Sequence, residues 1–418
     1  MKGDKFRIFQ KLLSSDLIKK TAKKYGAEDK RERKLTLIQF FWLTIFSHFH
    51  KATNGFLNML VARFIGSSIA KLDPNVKGNV KTISRMAISK QFKKRDWRLF
   101  RDIYQYLMKI YKKNIPLKIN RLFEDFEDVE AVDASVVYVS KLLRKLYKAT
   151  KKAKAALKIH VKFSVVNLIV EGVKITAETV NERRYNFIVK AANFLYICDL
   201  GYYGIELFNK IMLVHSFFVS RLKSNIDPII VEGKYAGMRL SDMMKAIRGK
   251  TVDVMVNLIT QDAQLIEPVR LVGLKHEGEW YFYLTNIKNE AFKPKDIYTI
   301  YTYRWIIEIF FNELKHVLRL ENIVCKNENG IKIEIYAAFI LYVLLRIFIN
   351  EASRWGNIPV DFFSFKRCFE IFTQTIDQLY FMIVFQDYNL LELVNIISIV
   401  LVTVALKDAF YIKRMGGA

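Results

Sequence analysis

"YTYRWIIEIFFNELK", residues 301 to 315, sets four polar groups, Tyr301, Arg304, Glu308 and Lys315, into an otherwise apolar segment. Taken as one helix running from about Asp296 to Leu320, it is expected to bury Trp305, Ile306, Ile309 and Phe310. At roughly 100° per residue the four polar groups share an arc of roughly 60°, and Arg319 falls on the same arc. Ile306, Phe310, Leu314 and Val317 lie opposite, placed to pack on a sheet. A carboxylate between cations on a largely buried helix has two readings. One is an i,i+4 ion pair between Arg304 and Glu308, worth a few tenths of a kcal/mol. The other is a metal ligand among cations that hold a phosphate backbone.

Upstream, the periodicity supplies the sheet. "EDVEAVDASVVYV" (127–139), "LKIHVKFSVVNL" (157–168) and "GVKITAETV" (172–180) alternate as strands do. "NFLYICDLG" (193–201) is an apolar strand ending in Asp199, "YYGIELFNKIML" (202–213) reads as a helix, and "SFFVSRLK" (216–223) as another strand. Asp133 sits among Ala131, Val132, Val136 and Val137, where a carboxylate is costly to bury without a partner. Asp199 precedes Gly201 at a strand end, a pattern that also occurs in plain turns. Residues 226–284 resume short β-like runs and are expected to form an insertion packed beside the first sheet.

The ends of the chain read as helices. "LTLIQFFWLTIFSHF" (35–49) is apolar nearly all round and belongs in a core. "TISRMAISKQFKKR" (82–95) admits either a helix-turn-helix or a solvated basic helix face. The apolar runs 336–345 and 393–406 are shorter than the roughly 18–20 residues of a membrane span, so buried helices are expected. Met1 to Lys34 is charged throughout, so no signal peptide is expected. Three scattered cysteines, Cys198, Cys325 and Cys368, suit a reducing cytosol better than a disulfide framework. With 67 Lys and Arg against 41 Asp and Glu, the net charge of +26 favours a polyanionic partner, nucleic acid first. "KLLRKLYKATKKAKAALKIHVK" (141–162), with Lys151 and Lys152, reads as a DNA-facing loop or as a plain solvated run.

Tyr301-x2-Arg304-x3-Glu308-x6-Lys315 matches without a gap the Y-x2-R-x3-E-x6-K signature of the DDE transposases of the insertion-sequence-four family, which the chain resembles from about 128 to 320. "VDAS" (132–135) is similar to that family's first-Asp strand and "CDLGYYG" (198–204) to its second-Asp motif, with Leu200 where the family usually has Arg. The resemblance implies an α/β RNase H-like catalytic core with a β-rich insertion, flanked by helical regions. The expected domains are 1–120 (helical, DNA-binding), 121–225 (first part of the core), 226–284 (insertion), 285–334 (the Glu helix) and 335–418 (helical, dimerising).

By the same resemblance Asp133, Asp199 and Glu308 form a catalytic triad holding two Mg²⁺ ions, with Mn²⁺ able to substitute. Such a pair, roughly 3.5–4 Å apart, activates the attacking oxygen and stabilises the leaving one, and hard carboxylate oxygens suit these metals. The partner implied is double-stranded DNA, transposon ends and target, bound by a homodimer in a synaptic complex. Cleavage passes through hairpins. Tyr301, Arg304, Lys315, Arg221, Lys223, Arg319, Lys151 and Lys152 are the implied DNA contacts. Trp280, 21 residues before Tyr301, takes the place of a base-stacking Trp, although a core position beside Phe282 fits it equally. His160 is expected to be structural or DNA-contacting. A bacterial, cytoplasmic, nucleoid-associated location without a membrane follows. An RNase H-like nuclease sharing the triad, or a DNA-binding relative without activity, are the alternatives.

Overall fold

The computed structural model describes residues 13–29, 35–50, 83–114, 121–151, 154–182, 189–190, 192–259, 263–288, 292–374 and 390–407. Helix α1 (Ser15–Lys23) begins where the Ser14 hydroxyl accepts from the Leu17 amide at 3.2 Å. Helix α2 (Leu37–Ser47) opens on a reciprocal cap between Thr36 and Gln39, and all of it is buried, as its continuous apolarity demands. Helices α3 (Arg85–Lys94) and α4 (Arg98–Asn114) follow. In α3, Ile88 and Phe92 face the core while Lys93 and Lys94 are exposed.

The chain then builds a mixed sheet. Strands β1 (Asp128–Val139), β2 (Ala155–Ser164) and β3 (Ile169–Ala177) form an antiparallel meander. Strand β4 (Phe194–Cys198) returns parallel to β1, helix α5 (Ile205–Leu213) crosses over, and β5 (Phe217–Arg221) lies parallel to β4. The order β3-β2-β1-β4-β5, with the helical crossover between its parallel members, is an RNase H-like core.

The insertion departs from expectation. It holds β6 (Ile229–Ile230), helix α6 (Leu240–Ala246), β7 (Thr251–Asn257), β8 (Val269–His276) and β9 (Glu279–Thr285). It does not pack beside the first sheet: β9 pairs antiparallel with β5, making one nine-stranded sheet in the order β3-β2-β1-β4-β5-β9-β8-β7-β6 among the described residues. The free hydrogen-bonding edge of β5 is the cause, because an edge strand left open invites pairing and β9 supplies it.

The segment 296–320 is also not one helix. Helix α7 (Pro294–Thr302) stops, α8 (Trp305–Asn312) restarts, and Glu313–Val317 forms a π turn. Across the break the amides of Tyr303, Arg304, Ile306 and Ile307 bond carbonyls three residues back, which tightens the winding. Helices α9 (Glu328–Gly356), α10 (Phe365–Gln374) and α11 (Leu390–Val404) complete the chain. Helix α9 is long and apolar enough to cross a membrane, contrary to the length of its apolar run alone. However, 94% of its most apolar 18-residue window is buried inside the protein, where it packs on α4, α11, α2 and α3.

Two apolar clusters sandwich the sheet. One runs from α1–α4 past Phe163 and Phe310 to α9 and α10; the other gathers α5, α6 and the insertion strands around Phe208, Phe218 and Leu271. Glu313 and Arg346 form a buried ion pair at 2.9 Å that joins the π turn to the middle of α9.

Candidate active site

Asp133 and Asp199 are brought together by strand register. Val132 pairs with Cys198 across the parallel strands β1 and β4, so the next residue on each chain is a carboxylate at the same end of the sheet. Asp199 leads directly into the turn Leu200–Tyr202. Helix α8 packs against β1 and delivers Glu308 from the side, with Arg304 at the position preceding its first residue.

The acids gather on one guanidinium. Arg304 Nη1 donates to Glu308 Oε1, and its Nε stands 3.8 Å from Asp199 Oδ1. Asp133 feels both Arg304 and Asp199. Burial is the largest influence on its carboxyl, and the neighbouring charges of Asp199 and Glu182 push the same way, so it titrates at about 7. The Ala134 amide, donating to Asp133 Oδ1 at 2.7 Å, and Arg304 pull it back only in part. Lys315 lies in the same field: burial pushes its ammonium down, against the opposing pull of Glu321 and Asp133.

Hard carboxylate oxygens from three elements are the donor set a divalent ion of the Mg²⁺ class takes. With Arg304 set between Asp199 and Glu308, no three Asp, Glu, His or Cys side chains among the described residues are grouped to hold an ion. The donor chemistry fits the metal, while Glu308 is held by Arg304.

The remaining sequence candidates divide by the face they occupy. Tyr301, on α7, packs on Tyr283 with ring centroids 5.0 Å apart and lies 5.9 Å from the Arg304 guanidinium. Arg221, at the end of β5, sits over the Tyr281 ring at 5.3 Å, and Lys223 over Tyr203 at 5.0 Å. Tyr281 and Tyr283 point to one face of β9. Trp280 alternates to the other face, stacked on Phe282 with centroids 5.7 Å apart and 10° between planes. His160 is buried between β1 and β3: its Nδ1 meets the Tyr202 hydroxyl and its Nε2 the Thr176 hydroxyl, both at 3.0 Å. Burial and the nearby Lys158 and Lys174 push it down to about 4, so it is a neutral prop beneath the Asp199 turn. Lys151 is exposed, and Lys152 lies outside the described residues.

Three expectations fail here. Trp305 and Ile309 are exposed, 61% and 49%, not buried. At roughly 100° per residue they sit close beside the polar stripe, on its open flank, while Ile307, Phe310, Phe311 and Leu314 reach the core and Ile306 packs against it. Arg319 leaves the helical arc because it adopts a left-handed conformation, φ 55°, just past the π turn. The sequence reading also passed over Glu182. It accepts from Lys158 Nζ at 3.1 Å, and its Oε2 lies 2.1 Å from where a β-carbon on Gly201 would be. The glycine of Asp-Leu-Gly is therefore a close-approach position for a fourth carboxylate. No local spacing marked Glu182, which lies past the last alternating residue of its strand.

Two Asp on neighbouring parallel strands and a Glu from a helix packed against β1 make a cluster of hard oxygen donors at one end of the sheet. A family model described as "Transposase DDE domain" matches residues 124–344, which contain all three. The chain belongs to the DDE transposase family. It is 24% identical over 366 residues to the transposase ascribed to insertion sequence element IS5377 of Geobacillus stearothermophilus, covering 87% of this chain and 89% of the relative. It is 25% identical over 303 residues to the transposase ascribed to element IS4SA of Synechocystis sp., covering 71% of this chain and 80% of that one. A solved cryo-EM structure of the piggyBac transposase synaptic complex with hairpin DNA aligns with 93% of this chain and 84% of that chain, at 11% identity and a TM-score of 0.45. As a DDE transposase, this chain is a DNA-acting enzyme of the insertion-sequence type.

Proposed function

We propose that this transposase binds the terminal inverted repeats of a bacterial mobile element, cleaves its ends and joins them to target DNA, with Asp133, Asp199 and Glu308 as metal-holding catalytic residues. The observation that carries the reading is the gathering of these three carboxylates around the single guanidinium of Arg304. Two Mg²⁺ ions, or Mn²⁺ in their place, would supply an activated attacking oxygen and stabilise the leaving one.

The chain's own groups do the rest. Asp133 and Asp199 hold their places by strand pairing, and His160 fixes the Asp199 turn through Tyr202. Arg304 and Lys315 lie in the field of the carboxylates and Arg221 follows Ser220 beside the Asp199 strand end, while Lys223 sits over Tyr203 further along; their positive charge suits a DNA backbone. The exposed Trp305 and Ile309 lie on the open flank of the same helix. Passage through a hairpin, dimerisation by the helices after residue 335, and DNA binding by those before 120 complete the proposal; Trp280, stacked on Phe282 on the face away from Tyr301, takes the core position and not that of a base-stacking residue. The bacterial nucleoid is the proposed setting.

The test is an excision assay with purified protein, Mg²⁺ and DNA carrying the sequences that border the reading frame. Asp133→Ala, Asp199→Ala and Glu308→Ala are each expected to abolish cleavage and leave binding to that DNA within about twofold. Cleavage surviving any one of them removes that residue from the set.

A further inference from the structure

We infer that Arg304 is an internal counter-ion for the acidic site, one that DNA must draw away before Glu308 can take a metal ion. The inference rests on the metal-holding role proposed above for the three carboxylates. Arg304 occupies the position between them: Nη1 bonds Glu308, and Nε faces Asp199 at 3.8 Å. Its hold is incomplete, because Nε is buried without a hydrogen-bond partner. A donor left unsatisfied inside a protein favours any move that gives it an acceptor.

A route for that move is built in. The guanidinium lies within reach of two rings, 5.9 Å from the Tyr301 centroid and 5.4 Å from that of Trp305. Trp305 is 61% exposed, so its face leads from the site to the surface. A guanidinium sliding along that face keeps its cation–π contact and arrives where a phosphate of bound DNA can be gripped by two parallel N–H donors.

The competition is direct. An arginine held on Glu308 repels a divalent ion brought to the same carboxylate, and an arginine drawn toward a phosphate holds Glu308 less firmly. DNA and metal must therefore raise each other's affinity, since linkage between two sites is reciprocal. Without DNA the carboxylates stay neutralised by the protein's own cation.

The experiment follows binding of Mn²⁺ to the full-length protein by electron paramagnetic resonance of the free ion. It is run with and without duplex DNA carrying the sequences that border the reading frame. For the parent protein, DNA is expected to tighten Mn²⁺ binding about tenfold, within the usual range of such couplings. Arg304→Gln, and Arg304→Met as a second variant, should bind Mn²⁺ about tenfold more tightly than the parent without DNA, and gain less than twofold when DNA is added. Parent-like Mn²⁺ affinity in both variants without DNA, or a parent affinity that DNA does not change, overturns the exchange. Glu308→Ala separates the two layers of the argument. If it loses Mn²⁺ binding while the Arg304 variants resemble the parent, the metal assignment stands and the exchange fails. If it binds Mn²⁺ as the parent does in both conditions, the assignment itself fails and the exchange with it.

Discussion

Asp133→Asn should leave the transposase catalytically dead and more stable than its parent at neutral pH. In the folded protein the Asp133 carboxyl titrates at about 7, against an ordinary value of 3.8, because burial dominates and Asp199 and Glu182 add like charge. A group whose folded value is raised stabilises the fold below its unfolded value and loses that stability as pH climbs through the folded one. The window is therefore about pH 4 to 7. At roughly 1.4 kcal/mol per unit, the full displacement is on the order of 4 kcal/mol, and partial access to water reduces the expectation to about 2–4 kcal/mol. Asparagine keeps the shape and the acceptor for the Ala134 amide but never ionises.

Equilibrium urea unfolding of variant and parent at pH 4, 5.5, 7 and 8 measures the difference. Taking the difference cancels the other titrating groups of this strongly basic chain. The two proteins should nearly coincide at pH 4, diverge through pH 5.5 and 7, and hold a constant gap above that, with the variant the more stable. A gap that is flat from pH 4 to 8, or that opens in the opposite direction, refutes the claim that Asp133 is a buried carboxylate repelled by its neighbours.

Two further variants probe the surroundings. Gly201→Ala places a methyl group 2.1 Å from the present position of Glu182 Oε2, so the flexible carboxylate must swing away. Asp133 then loses one raising charge and should titrate at a lower pH, read by ¹³C NMR of labelled carboxyls; an unchanged titration would remove Glu182 from the site. Arg346→Ala strands the Glu313 carboxylate inside the protein, which costs about 3–5 kcal/mol, whereas Glu313→Leu combined with Arg346→Met should recover most of that in thermal melting. A single variant that melts like its parent would show that the pair is dispensable.

How far the sequence foretold this arrangement depends on whether the cause was local. Strand alternation around Asp133 and the apolar run ending at Asp199 placed both acids, because a period of two and a strand end are written in adjacent residues. The Tyr301 to Lys315 spacing placed Glu308 on the same helical face as Arg304, and the ion pair read from that spacing is present. The break between α7 and α8 was not legible, since its tightened turn joins two apolar stretches with no proline or glycine between them. The π turn carries Glu313, which meets Arg346 thirty-three residues further along the chain, and no helical wheel contains that contact. Glu182 lies past the end of β3, with β2 and β1 between that strand and β4, and it reaches the Asp199 turn because Gly201 leaves it room. Local pattern fixed the strands and the signature; the helix breaks and the fourth acid came from tertiary contacts.

The charge balance of the site explains why the protein carries cations there at all. Asp133, Asp199, Glu182 and Glu308 crowd one end of the sheet, and without compensation their repulsion would oppose folding. Lys158 pairs with Glu182, Arg304 with Glu308 and Asp199, and Asp133 responds by holding its proton up to about pH 7. Each of these is a substitute for a divalent ion, and each is reversible. On the proposed exchange, a phosphate backbone would recruit Arg304 and Lys315, uncovering Glu308 and deepening the negative field felt by any cation nearby. On the proposed reading, the acids Asp133, Asp199 and Glu308 that burden the free protein are the ones the reaction needs, and Arg304, which relieves two of them, is the cation DNA would draw away. A site organised this way joins its readiness for metal to the presence of its substrate, and that dependence is a physical reason for an arginine to sit four residues before the glutamate in the signature.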